Sequence, residues 1–257
     1  MESINSKSWK VYDMVINGLP QRVKYNEDTV NGLFVPLLKK LTEIQRREQR
    51  KVVAFVAAPP ATGKSTLLQF LEQLSKNCED IGEIQALGMD GFHYPNSYLE
   101  NHYLERAGEK ITLKSIKGAP ETFDAEGLRA KIEEAKGGES RWPIYDRRIH
   151  DVVKDALLVN GNILLVEGNW LLLNEPRWQN LHELADYTLC IKVEPELLKN
   201  RLIQRKIQGG LSEDEAVKFY ETSDRLNVER IVDNTVPANE AWQMQADGDF
   251  VMLKQDR

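Results

Sequence analysis

Apolar positions along this chain change their period several times, and each change marks an element. Residues 10–25 alternate apolar and polar side chains in two short runs that meet at Asn17-Gly18. That dipeptide best accommodates the positive φ angles of a tight turn, so a β-hairpin is expected to open the chain. Over residues 28–50, Val30, Leu33, Phe34, Leu37, Leu38, Leu41 and Ile44 recur at helical spacing, with Lys and Arg crowding the end where the helix dipole favours cations. Pro36 inside that stretch predicts a kink.

From residue 52 onward, short apolar runs alternate with amphipathic stretches: residues 52–57 then 64–74, 84–89, 125–135, 163–166, and 187–193 then 196–207. This order predicts an α/β fold, a parallel sheet wrapped by helices. Gly209-Gly210 ends one helix, and Ser212 with Glu215 three residues on forms the capping box that starts the next. Residues 241–253 read as a second hairpin, turning at Asp247-Gly248. No repeat, low-complexity tract or linker interrupts the chain. A single domain over residues 1–257 is therefore expected, with residues 1–50 as an N-terminal hairpin and helix extension and 51–257 as the core.

The composition is ordinary for a globular protein: 257 residues, 41% hydrophobic and 29% charged, long enough for one large core. A net charge of −6 without a long Lys/Arg cluster argues against nucleic acid as the main partner, because phosphate neutralisation needs a basic face. Cys78 and Cys190 lie far apart and outside any metal-ligand spacing, as expected of reduced core residues in a cytoplasmic protein. The first ten residues carry no apolar stretch behind their charges, and the most hydrophobic region, residues 156–173, is broken by polar residues and glycine. Neither a signal peptide nor a membrane span is read.

The chemistry begins at Ala58-Pro59-Pro60-Ala61-Thr62-Gly63-Lys64-Ser65-Thr66, which follows a buried strand and opens a helix, the context a phosphate loop requires. Loop and first-turn N–H groups are expected to point at the phosphates of a nucleotide, with Lys64 on the β- and γ-phosphates, Ser65 offering its hydroxyl to Mg²⁺, and Thr66 towards the α-phosphate. Ala58 stands where the pattern has its first glycine, and its methyl crowds a backbone that must approach phosphate closely. Asp90, in Met89-Asp90-Gly91-Phe92-His93, should emerge at the carboxyl edge of the sheet beside this loop, placed to accept the proton of an attacking hydroxyl, with a plain Asp90-Gly91 turn as the alternative. Glu167 ends the apolar run 163–166 and, beside the phosphate loop, is placed to hold Mg²⁺ directly or through water; without that loop it would read as an ordinary strand-end surface residue. Arg201 and Arg205, one helical turn apart, face the same side and could close over the triphosphate; a solvated basic helix face is the plainer reading. Residues 142–151 show little helical or strand period and read as a binding loop or a helix-capping loop.

These segments, together with Lys117-Gly118-Ala119-Pro120-Glu121-Thr122-Phe123-Asp124, Tyr145-Asp146-Arg147 and Val166-Glu167-Gly168-Asn169-Trp170, make the chain resemble the phosphoribulokinase, uridine kinase and bacterial pantothenate kinase group of phosphate-loop kinases. Within that group it is most similar to the bacterial nucleoside/nucleotide kinase branch that includes fructose-transport-associated kinases. The resemblance spans roughly residues 52–234 in the family's order. It implies a Rossmann-like phosphate-loop NTPase fold, ATP and Mg²⁺ as cofactors, Asp90 as general base, Lys64 and Ser65 on ATP-Mg²⁺, and Arg201 and Arg205 in a lid. It also implies that His93, Lys117, Tyr145 and Arg147 face a small-molecule acceptor. Ala61 departs from the family, which usually has glycine there, and the extension before residue 52 is an addition.

The leading expectation is transfer of the γ-phosphoryl of ATP to a hydroxyl of a nucleoside, sugar or pantothenate-like metabolite. A nucleotide-binding regulator or slow ATPase, favoured by the two loop alanines, and a nucleoside monophosphate kinase, left open by Arg147 and Arg148, are the rival readings. A homodimer is compatible with the sequence.

Overall fold

Strands β1 (Trp9–Ile16) and β2 (Leu19–Asn26) pair antiparallel, with Trp9 opposite Asn26. The expected turn at Asn17-Gly18 lies outside the residues described, which are 7–16, 19–106 and 108–254 of this computed structural model. The chain then turns into α1 (Glu27–Thr29), capped by the Asn26 side chain accepting from the Asp28 N–H at 3.3 Å. A π-helical turn at Val30–Phe34 leads into α2 (Val35–Glu48). The interruption foreseen at Pro36 is therefore this wide turn, with Pro36 in the first turn of the new helix, where its missing N–H matters least.

Strand β3 (Val52–Ala57) is buried throughout and leads to α3 (Lys64–Lys76) and β4 (Ile84–Gly88). Helix α4 (Asn96–Asn101) and a small hairpin of β5 (Tyr103–Arg106) and β6 (Glu109–Thr112) precede α5 (Ala125–Gly137). A longer antiparallel pair, β7 (Ser140–Asp146) and β8 (Asp151–Val159), follows. Next come β9 (Ile163–Gly168), β10 (Tyr187–Val193), α6 (Pro195–Gln208), α7 (Glu213–Phe219), α8 (Arg225–Asn234), β11 (Glu240–Met244) and β12 (Phe250–Met252). The capping box at Ser212 and Glu215 is formed as read.

The central sheet runs β12-β11-β10-β3-β9-β4, parallel except at β11–β12, where the C-terminal hairpin folds back. Side chains of β3 alternate between two cores, as a period of two requires: Val52, Ala54 and Val56 join the side built from α2, α3 and α6, while Val53 and Phe55 join the side covered by α5 and the loop after β9. After β3 the chain moves past the place of β9 to β4, and after β9 it crosses to the other side of β3. The loop after β3 thus opens at a topological switch point, where an α/β sheet leaves a crevice at its carboxyl edge.

The N-terminal extension shares the first core. Tyr12 and Tyr25 pack on Phe70 of α3 at centroid distances of 4.7 and 4.4 Å, and Phe34 stacks on Trp242 at 5.5 Å. Buried Asp249 accepts from Thr29 Oγ1 at 2.5 Å and Asn26 Nδ2 at 3.0 Å, tying the extension to the C-terminal hairpin.

Two expectations need correction. Residues 142–146 are strand, not loop. A register shift between Trp142 and Ile144, at Pro143, breaks the alternation that would have revealed it. Cys78 and Cys190 are free, as read, but half-buried at the core's margin.

Candidate active site

Helix α3 is preceded by Gly63, whose φ of +82° is comfortable only for glycine, and no side chain caps its first turn. Its open N–H groups face a cavity of about 520 Å³ lined by Ala61, Gly63, Lys64, Ser65, Thr66, Glu167, Asn169, Asp90, Arg147, Arg201 and Arg205, among others. Ala61 takes the left-handed conformation, φ +62°, where an alanine is strained by roughly 1–2 kcal/mol. Ala58 is buried and is not among the positive-φ residues, so its methyl replaces glycine without backbone strain. Thr62 Oγ1 and Lys64 Nζ both donate to the Pro59 carbonyl, at 3.1 and 3.0 Å, which folds the loop around the lysine.

Lys64 is buried, and its amine also donates to Asn169 Oδ1 at 2.6 Å. Burial lowers its pKa, and the carboxylates of Glu167 and Asp90 oppose that shift. Glu167, at the end of β9, sits in register with Val56 and Gly88 and accepts from Ser65 Oγ at 2.5 Å. Burial raises its pKa against the pull of Lys64. A buried cation and a buried carboxylate each need the other here, since either alone would be neutralised. Among the described residues no three His, Cys, Asp or Glu side chains gather as a metal cage. A paired hydroxyl and carboxylate beside open helix N–H groups instead suit Mg²⁺, which is commonly held by one or two carboxylates and by phosphate oxygens.

Asp90 follows β4 on a short turn and is half-buried. Its neighbour Gly91 is fixed by packing: a Cβ there would fall 2.1 Å from the Pro143 carbonyl oxygen of β7. The β7–β8 hairpin therefore lies directly on the Asp90 turn, with Trp142 Nε1 donating to the Gly88 carbonyl at 2.8 Å and the Trp142 ring edge-on to Phe92. Asp90 lines the first cavity and also a second chamber of about 290 Å³.

That second chamber brings His93, Lys117, Tyr145 and Arg147 together. His93 packs on Phe123 at 3.7 Å between centroids, and its Nδ1 donates to the Asp90 carbonyl at 3.0 Å, leaving Nε2 as the acceptor. Burial lowers its pKa, with Asp90 opposing. Lys117 Nζ donates to the Tyr145 hydroxyl at 3.0 Å and Asn96 Oδ1 at 2.9 Å; burial and Lys114 lower its pKa. Tyr145, raised by burial, donates to the His150 carbonyl at 2.8 Å. Arg147 has no hydrogen-bond partner among the described residues and reaches both chambers. On α6, Arg201 is half-buried, its pKa lowered by burial, with a guanidinium nitrogen 4.0 Å from where a Cβ on Gly63 would lie. Arg205 lines both chambers.

Sequence reasoning missed several contributors, of which four show why. Asn169, two residues beyond Glu167 on the same strand end, was within reach of a motif argument. Gln21 of β2 lines the first cavity, and Asp224 and Asn227 line the second. No local pattern marks these three.

The loop, the parallel sheet and the strand-end acids define a phosphate-loop nucleotide-binding protein. No protein-family model matches the chain. It is 40% identical over 239 residues to "Uncharacterized protein YggC" of Escherichia coli (strain K12), covering 93% of this chain and 97% of that one. It is 30% identical over 207 residues to a Schizosaccharomyces pombe (strain 972) protein named "Putative uridine kinase", covering 78% and 86%. The crystal structure of a "putative fructose transport system kinase" from Silicibacter sp. TM1040 superposes with a TM-score of 0.68 at 28% identity, covering 80% of this chain and 98% of that one. The chain belongs to the uridine kinase-like group of phosphate-loop kinases, and it is also similar to bacterial pantothenate kinases, 27% identical over 172 residues to that of Levilactobacillus brevis.

Proposed function

We propose that this chain transfers the γ-phosphoryl group of ATP to a hydroxyl of a small molecule. The observation that carries the reading is the place of Asp90, on the wall shared by the cavity above the phosphate loop and the chamber beside it. ATP would occupy the first, its phosphates on the open N–H groups of α3 and on Lys64. The acceptor would occupy the second, among His93, Lys117, Tyr145 and Arg147.

Ser65 and Glu167 would hold Mg²⁺, which when bound spreads the charge of the β- and γ-phosphates. The Asp90 carboxylate orients the acceptor hydroxyl and takes its proton as the oxygen attacks the γ-phosphorus. The bond from that phosphorus to the β–γ bridging oxygen breaks, and ADP leaves. Arg201 and Arg205, on the α6 face above the loop, would balance negative charge on the transferring group, as Arg147 would from the hairpin side. A switch protein needs no second chamber with an acid between the two, which favours transfer over regulation.

The test is an ADP-release screen of purified protein against hydroxylated metabolites, with Lys64→Ala as the blank. Parent protein should show acceptor-dependent ADP release and melt at a higher temperature in ATP-Mg²⁺; Lys64→Ala should fold but lose both. An ATP-dependent melting shift unchanged in Lys64→Ala would sink the nucleotide site, and ATP binding without acceptor-dependent turnover would sink the kinase.

A further inference from the structure

The β1–β2 hairpin brings to the nucleotide cavity a side chain that the chemistry above does not use. Its inward face follows the period of two: Tyr25, Val23 and Gln21 of β2 share one side, with Tyr12 opposite Val23 and Met14 opposite Gln21. Tyr25, Val23, Tyr12 and Met14 all pack on the first core, so the alternation calls for another apolar side chain at position 21. The residue there is an exposed glutamine that lines the cavity above the phosphate loop. A polar side chain on the inward face makes sense where that face has run past the core and onto a polar cavity. The run of the hairpin also tells which part of the cavity it reaches. Tyr12 and Tyr25 hold Phe70 of α3 between them. Thr66 shares a helix face with Phe70, about 6 Å nearer the N-terminus of α3, and Gln21 lies about 7 Å beyond Val23 towards the hairpin tip. Thr66 and Gln21 line the same cavity, so the hairpin follows α3 towards its N-terminus.

We propose that Gln21 recognises the nucleoside part of the bound nucleotide, its side-chain amide hydrogen-bonding the base or the ribose, so that the N-terminal hairpin forms one wall of the nucleotide site. The proposal rests on the reading of the first cavity as the ATP site. On that reading Lys64 and Ser65 serve the β- and γ-phosphates with Mg²⁺ and Thr66 the α-phosphate, and the nucleoside continues from the Thr66 side, where Gln21 lies. An amide offers one acceptor oxygen and two N–H donors without charge. That suits a nucleoside, whose base edges and hydroxyls both give and accept hydrogen bonds, and adds little for phosphates already facing Lys64, Arg201 and open helix N–H groups. Gln204 and Gln208 of α6, three and seven residues beyond Arg201 on the same helix face, bring further amides to this cavity. The hairpin is also anchored away from the cavity. Asn26 and Thr29 donate to Asp249, and Lys7 pairs with Asp247 and Asp249 at 2.7 and 2.9 Å. A side chain carried on an anchored strand gives up less freedom when a ligand arrives than one on a loose loop.

The experiment is calorimetry of the full chain with two probes in Mg²⁺: ATP, and inorganic tripolyphosphate, which carries three phosphates and no nucleoside. Gln21→Ala should bind ATP about 3–10-fold more weakly than the parent, the net worth of one hydrogen bond, and tripolyphosphate as tightly as the parent does. Lys64→Ala, the control, should weaken both probes. A Kd of Gln21→Ala for ATP within about twofold of the parent's would overturn the proposal while leaving the nucleotide site standing. Equal weakening towards ATP and tripolyphosphate would overturn it as well, because the side chain would then be acting through the phosphate loop and not through the nucleoside. A parent that bound no ATP would overturn the nucleotide reading of the cavity and this proposal with it. If Gln21→Ala failed to fold, Gln21→Ser would take its place, with the same selective loss expected and an unchanged ATP affinity again overturning the assignment.

Discussion

Replacing Asp90 by Asn separates binding from chemistry. The amide keeps the size of the side chain and can still hydrogen-bond the acceptor hydroxyl, but it cannot take its proton. Losing a general base costs roughly 10²–10⁴-fold, which at about 1.4 kcal/mol per decade is about 2.8–5.6 kcal/mol of transition-state stabilisation. The effect on ATP follows from the neighbours. Asp90 sits in the field of Lys64 and Glu167, and its negative charge opposes that of the triphosphate. Neutralising it should leave ATP-Mg²⁺ affinity unchanged or tighten it a few-fold. Gly91 and its contact with Pro143 are untouched, so the fold should survive. Kd for ATP measured by calorimetry, with single-turnover rates on the accepted substrate, reads both quantities. A rate within tenfold of the parent, or a loss of ATP affinity that parallels the loss of rate, would refute the assignment of Asp90 as the base.

Glu167→Gln keeps the hydrogen-bonding shape at Ser65 but loses the charge, so half-maximal activity should need about 10–100-fold more Mg²⁺; an unchanged metal titration would make Glu167 only a strand-end residue. Gly91→Ala drives a Cβ to 2.1 Å from the Pro143 carbonyl oxygen, so the hairpin must shift; about 1–3 kcal/mol of destabilisation and a fall of several degrees in melting temperature are expected, with activity falling as Asp90 moves. Stability should also fall in acid through Glu240. Burial works to raise its pKa, but hydrogen bonds from Lys40, Tyr187 and Trp242 hold it below the ordinary value. Its contribution is therefore present above the unfolded pKa of about 4.5 and lost as pH drops through the lower folded value. Glu240→Gln should flatten the pH dependence of denaturant midpoints below about pH 4.5, and an unaltered profile would count against that network.

The sequence by itself determined what depends on contiguous residues. The continuous apolar run before Gly63-Lys64-Ser65 makes a buried strand, the apolar stripe after it makes a helix, and the loop between them leads straight into the helix's first turn. Gly209-Gly210, the capping box at Ser212 and the turn at Asp247-Gly248 were legible for the same reason, since each satisfies its own backbone locally. Arg201 and Arg205 were placed on one helix face by spacing alone. Only the tertiary structure decided what depends on parts distant in the chain. The β7–β8 hairpin escaped reading because Pro143 and a register shift hide its alternation, and its strand form is held by the Trp142 bond to Gly88 and the close approach to Gly91. Asn169 holds Lys64 only because β9 pairs beside β3. The contribution of Gln21 to the nucleotide cavity depends on the extension docking on Phe70. Asp224 looks in sequence like one more surface acid, and the fold buries it at the end of a π-helical turn with one carboxylate oxygen unpaired among the described residues. Burial and charge pairing are properties of neighbours, and neighbours from other elements are what a local pattern does not contain.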